Sequence, residues 1–141
     1  MLDSLFVTPA VTAIDAALAS ARADGKVAVI GHAKIASALA DKREVVAVGV
    51  PARAAKKLTG TLPDLSSVDD RSLAAVIAVD TEDAPLADWA RVIRDGGALV
   101  LVDRGSPAAA SKRALCACLT ELEQRTAGRV VVTSGLVTHL D

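Results

Sequence analysis

With 141 residues, 52% of them apolar and a formal net charge of −1, the chain has the size and composition of one globular domain. An isoelectric point near 6.1 and only two aromatic residues, Phe6 and Trp89, argue against nucleic acid as a partner: there is neither excess basic charge for phosphates nor a platform for stacking bases. No apolar run reaches the ~18–20 residues of a membrane span, and the first residues lack the basic-then-apolar order of a secretion leader, so no membrane contact and a cytoplasmic location are expected.

Residues 3–22 place Val11, Ile14, Ala17, Leu18 and Ala21 at helical spacing, with Thr8-Pro9 as N-cap and first helical residue and Asp24-Gly25 as the stop. A short buried strand follows at Lys26–Gly31 (KVAVIG), and His32-Ala33-Lys34 turns into a second helix over Ile35–Asp41. Glu44–Val50 (EVVAVGV) reads as a second strand, and Pro51 opens a helix through Leu58. Gly60–Ser72 is polar and holds at most one short strand. Leu73–Val79 (LAAVIAV) is the next strand, and Asp83–Arg94 the helix after it.

The stretch Trp89–Asp103, WARVIRDGGALVLVD, is the most informative. Asp95-Gly96-Gly97 breaks the helix, because glycine accepts the positive φ that closes a helix. Ala98 to Val102 then run apolar without alternation, so both faces of that strand must be covered, as in the middle of a parallel sheet. Ser106-Pro107 starts a long helix expected to reach about Thr126, with Gly128 as its stop and Cys116 and Cys118 as buried free thiols on different faces. Arg129–Leu140 closes the chain as a strand pair or one strand kinked at Ser134-Gly135.

Strands alternating with helices imply an α/β fold: a single doubly wound, Rossmann-like, mostly parallel sheet with helices on both faces. No repeat or linker divides residues 1–141, so one domain is expected, with an N-terminal helix over 1–25, a core over 26–103, and a last helix with a terminal strand or hairpin over 104–141.

Leu86–Asp103, LADWARVIRDGGALVLVD, resembles the segment leading through the fifth strand of class I S-adenosylmethionine-dependent methyltransferases, L-x-E-x-x-R-V-L-R-P-G-G-x-L-V-L-x-D/E. Gly60–Val79 is similar to that family's G-D-A-x-x-L-P-F-x-D-x-S-F-D-x-V with one residue inserted. Val27–Ala40 then falls on the first strand and glycine loop, and Val45–Leu58 on the second strand and helix.

This resemblance implies cofactor-binding positions at Gly31, His32, Ala33, Lys34, Pro51 and Thr61, most of them altered. The family's loop D/E-x-G-x-G-x-G corresponds here to Val29, Gly31, Ala33 and Ile35, which keeps one glycine and loses the acid. The acid that would hold the ribose hydroxyls is replaced at Val50-Pro51, and the Asp near the adenine amine is Thr61. Each lost contact removes about 1–3 kcal/mol by analogy with charged hydrogen bonds. A degenerate domain is therefore expected, with S-adenosylmethionine the one cofactor in question and no metal.

Asp80, after the fourth strand, is the one residue in position for a catalytic base, yet with Thr81, Glu82 and Asp83 it is better explained as a cap on the following helix. His32 and Lys34 lie at a helix N-terminus where an anion would sit, against the simpler reading of a capping His and a solvated Lys. Ser106 reads as an N-cap. Asp69-Asp70 and His139 lack the companions a metal needs.

Two functions follow from the resemblance. One is a non-catalytic interaction or regulatory module acting through a protein partner or a second copy of itself. The other is a working S-adenosylmethionine-dependent methyltransferase with an atypical loop, completed by a partner subunit.

Overall fold

The computed structural model describes residues 2–50, 60–79, 86–104, 107–116, 118–127 and 130–139; for 2–7, 60, 86–88 and 127 it describes the backbone alone. The elements run α1 (Leu2–Ser20), β1 (Val27–Ile30), α2 (Ala33–Ala40), β2 (Val45–Val48), β3 (Gly60–Leu62), β4 (Leu73–Val79), α3 (Leu86–Val92), β5 (Ile93–Asp103), α4 (Pro107–Cys116), β6 (Thr120–Ala127) and β7 (Val130–Leu136). The helix expected over Pro51–Leu58 and the cap at Asp80–Asp83 lie outside the described residues, as does Ser106.

Seven strands form one sheet in the order β3-β2-β1-β4-β5-β7-β6. The first five are mutually parallel, while β7 runs antiparallel to both β5 and β6. All seven residues of β4 are buried, as are residues 97–103 of β5, which is why neither segment alternates. Their side chains divide between two cores. Val27, Val29, Ala75, Ile77, Val100 and Val102 meet α1 and α2 on one face. On the other, Ala28, Val76, Leu99 and Leu101 pack with Trp89 and Ala114, from α3 and α4. The doubly wound α/β architecture expected from the sequence is the one observed.

Several boundaries differ. Helix α1 begins at Leu2 and passes through Pro9, so Thr8-Pro9 is interior and not its start. A proline there forfeits one backbone bond; burial of Ala10, Ile14, Ala17 and Leu18 on the sheet keeps the helix continuous. The helix also closes before Asp24-Gly25. Arg22 adopts φ 53°, its N–H reaches the Ala19 carbonyl (3.1 Å), and the Ala23 N–H reaches that of Leu18 (2.9 Å). This pair of bonds is a Schellman closure with arginine in the left-handed position.

The same device corrects the last helix, which ends at Cys116 and not near Thr126. Cys118 takes φ 63°, its N–H bonds to the Leu115 carbonyl (3.0 Å), and the Leu119 N–H bonds to that of Ala114 (3.2 Å). Both cysteines are free but exposed, contrary to the buried thiols expected. Residues 120–127 then form β6. TELEQRTA has good helix formers but a single strongly apolar side chain, Leu122, so a helix there would have almost nothing to bury. As a strand it satisfies the outer edge of β7 and sets charged side chains along the sheet margin, where they discourage further pairing. Thus β7 is one strand running through Ser134-Gly135, and the terminal hairpin is β6–β7.

Helix α3 likewise ends at Val92, two residues short of Arg94. Beyond it, β5 pairs with β4 from Ile93, with a register shift that accommodates Arg94 to Gly97 before regular pairing resumes at Ala98. Among the described residues, no helix is long and apolar enough to cross a membrane.

Candidate functional site

In a doubly wound sheet, ligands bind beyond the carboxyl ends of the strands, at the point where the winding reverses. Here that point lies between β1 and β4, which are adjacent in the sheet. Gly31 stands on it. Its φ is +86°, its N–H bonds to the Val48 carbonyl of β2 (3.0 Å), and an added Cβ would come within 3.1 Å of the Val79 carbonyl oxygen. Only glycine makes this turn comfortably. Next to it, Gly49 (φ +72°) bonds through its N–H to the Leu62 carbonyl of β3 (2.9 Å), and an added Cβ there would meet nothing within 4 Å. Backbone is thus laid bare across the ends of β1 and β2. In the sequence Gly49 is hidden inside the strand EVVAVGV, although a glycine at a strand end is itself a sign of close approach.

The helix after Gly31 is built by His32. In extended conformation it occupies the N-cap of α2, and its Nδ1 accepts the Ile35 N–H (3.2 Å). The Ala36 N–H takes the His32 carbonyl (3.2 Å). One amide that an anion would need is therefore already used by the imidazole, and of the two roles open to His32 the cap is the observed one. Replacing His32 with alanine is expected to cost about 1 kcal/mol in equilibrium denaturation, and His32→Ser, which retains a cap, to cost less; equal losses for the two would remove the cap from this account.

Ala33 is half-buried and Lys34 exposed on the first turn of α2. Ile35 is wholly buried, packed with α1, α2 and sheet residues in the first core. The sequence position that a glycine loop would leave empty is here a core side chain. On the second strand, Val48 is buried and Val50 packs against the same core as Ile35, so the described end of β2 carries no carboxylate. Thr61 is half-buried on edge strand β3, beside Ala47. The sheet therefore brings Gly31, the described end of β2 and Thr61 into one row across adjacent strands. Pro51 and Asp80 lie outside the described residues.

One charged group near this end has no counterpart among the sequence candidates. Asp103, the last residue of β5, is 7% exposed; its Oδ1 accepts from Arg113 Nη1 of α4 (3.0 Å), while Oδ2 is buried with no hydrogen-bond partner among the described residues. Its sequence signal is its place at the end of an apolar strand, where a carboxylate needs a partner brought by the chain. His139, which lacks companions for a metal in the sequence, tucks its Nε2 against the Ile93 carbonyl (2.6 Å). Among the described residues no group of three or more His, Cys, Asp or Glu is placed to hold a metal ion.

No protein-family model matches the chain, and no curated protein matches it in sequence. Solved structures do match. A chain from a complex between the Haloferax volcanii Trm112 methyltransferase activator and a protein assigned as a methyltransferase aligns with TM-score 0.70 at 16% identity, covering 89% of each chain. A SAM-dependent methyltransferase from Thermotoga maritima aligns with TM-score 0.65 at 17% identity, covering 87% of this chain and 89% of the other. A Bacillus halodurans C-125 protein assigned as a methyltransferase gives 0.64 at 12%, covering 83% and 94%. At these identities the likeness is one of fold: the chain has the α/β fold of these methyltransferase neighbours. The resemblance first seen in Leu86–Asp103 holds at that level. Among the described residues, the ends of β1 and β2 carry no carboxylate.

Proposed function

We propose that this domain is a non-catalytic relative of the methyltransferases, a protein-interaction or regulatory module working in the cytoplasm through a protein partner or a second copy of itself. The observation that carries the reading is the end of β2: Val48 is buried and Val50 packs into the core, where an acid would have to face a bound nucleoside. Ile35 adds to it, since its side chain is committed to the core directly beneath the loop. A sheet whose framework is intact while the described end of β2 carries no acid supports a domain that kept what folding needs without the hold on a nucleoside. Partnership draws support from the Haloferax volcanii neighbour, which comes from a complex with a methyltransferase activator.

A second reading has one specific observation in its favour. Gly31 and Gly49 leave bare backbone across two strand ends, with open space beside Gly49, as a close-fitting ligand would require. On that reading the domain is an active S-adenosylmethionine-dependent methyltransferase with an atypical loop, completed by a partner subunit. Thermal unfolding separates the two. Millimolar S-adenosylmethionine leaves the melting temperature of a non-binding domain unchanged, whereas ligand at a hundred times its Kd adds about 2.7 kcal/mol of stability. A clear upward shift would overturn the non-catalytic reading.

A further inference from the structure

The sheet ends at β6, which pairs with β7 on one side and with no other described strand on the other. Thr120, Glu121, Glu123, Gln124 and Thr126 are exposed, and Leu122 and Arg125 half-buried, so the helices flanking β6 leave it accessible. Its pairing with β7 is regular from Glu123 to Ala127, past the bulge that follows Thr120. A regular outer edge is a template for a further strand. The opposite margin of the sheet, β3, offers only three residues.

The charges on β6 select which strand. Side chains alternate faces along a strand, so Glu123 and Arg125 share one face and Leu122, Gln124 and Thr126 the other. An antiparallel copy centred on Gln124 sets Glu123 opposite the partner's Arg125, and Arg125 opposite the partner's Glu123. On the other face Leu122 meets the partner's Thr126, and the reverse. Directly opposed residues lie on the same face, where opposite charges stabilise a pair and like charges destabilise it. Moving the register by two residues sets Glu123 against its own copy in one direction and Arg125 against its own copy in the other. One register therefore satisfies every charge of this segment. A foreign strand lacks the match, so the margin that discourages other partners accepts its own inverse.

Arg125 has donors for two carboxylates. Within its own chain Nη2 donates to Glu123 Oε2 (3.0 Å), while Nη1 has no hydrogen-bond partner among the described residues. A guanidinium carries five N–H donors. The side chains are 31% exposed at Arg125 and 45% at Glu123, so a second copy reaches the pair without opening the core. We infer that the chain pairs with a second copy of itself through β6, antiparallel about Gln124, joining two sheets into one. Glu123 and Arg125 of each copy alternate in sign across the join. This rests on the interaction reading proposed above and names its partner as a second copy.

Sedimentation of the full chain over a range of concentrations tests it. One strand pair is a small contact, so a weak dimer is expected, half formed at a concentration on the order of 100 μM. Backbone chemical shifts should move with concentration at residues 122–126 and stay fixed at Gly31 and Gly49. Glu123→Arg and Arg125→Glu each oppose like charges twice, and each alone should weaken dimerisation about tenfold or more. Mixing the two variants restores opposite charges at both places and should recover the dimer as a heterodimer. A wild-type chain still monomeric at about ten times that concentration would overturn the proposal. So would concentration-dependent shifts that avoid β6, or a mixture no more associated than its components while both variants keep the wild-type circular dichroism. The wild-type shift map needs no variant and decides the question if either one loses its fold. A monomer with no affinity for S-adenosylmethionine would overturn the dimer and leave the non-catalytic reading standing.

Discussion

Gly97→Ala is expected to destabilise the protein by about 3 kcal/mol or more, the upper range for overpacking a tight site. An alanine Cβ at this position would lie 2.5 Å from the Ala74 carbonyl oxygen, 2.5 Å from Ile93 Cγ2 and 3.0 Å from the Arg94 carbonyl oxygen. Two of the three are backbone atoms, and Ala74 belongs to β4, a central strand of the sheet. Relief would have to separate β4 from β5 at the place where their register already shifts. The neighbouring glycine is the control. Gly96 has φ +80° but open space around its Cβ position, so Gly96→Ala carries backbone strain alone, about 1–2 kcal/mol. Chemical denaturation of both variants checks this order, and equal losses would contradict the close approach of β4 and β5.

Arg113→Leu carries the second large effect. Asp103 has 9% of its side chain exposed, and Arg113 is its cation, with Oδ2 unpartnered among the described residues. Removing the arginine leaves a buried carboxylate with no countercharge among the described residues, a change that costs about 3 kcal/mol. Adding Asp103→Asn to Arg113→Leu removes the stranded charge and should restore part of the loss. The double-mutant cycle reads the coupling directly, and a double variant no more stable than Arg113→Leu would show that the pair contributes little.

The parts of the fold that are legible in the sequence are those where burial dictates composition. LAAVIAV and ALVLV have to be central strands because nothing polar interrupts them, whereas DGG, read as a turn, lies within β5 at its register shift against β4. Helix ends are less legible where the left-handed closing residue is not glycine. Arg22 and Cys118 adopt that conformation at φ 53° and 63°, and neither residue type signals it. Residues 120–127 mislead for a related reason: Glu, Leu and Gln favour a helix locally, but the edge of β7 is available to pair, and tertiary context overrides propensity.

At the candidate site the capping role of His32 is legible, because a side-chain acceptor just before an apolar helical run sits where the first amides of the helix need one. The core commitment of Ile35 is not, since spacing alone does not say whether a loop side chain turns inward. Asp103 is visible as the end of a strand, but its partner Arg113 lies ten residues on, in α4.

The central claim is that the end of β2 has lost its hold on S-adenosylmethionine, and calorimetric titration of the purified chain with that compound tests it most directly. No heat of binding above dilution is expected at millimolar ligand. Saturable heat with a micromolar Kd, about −8 kcal/mol of binding free energy, would contradict it and make the domain a methyltransferase whose grip comes from residues other than Val50 and Ile35.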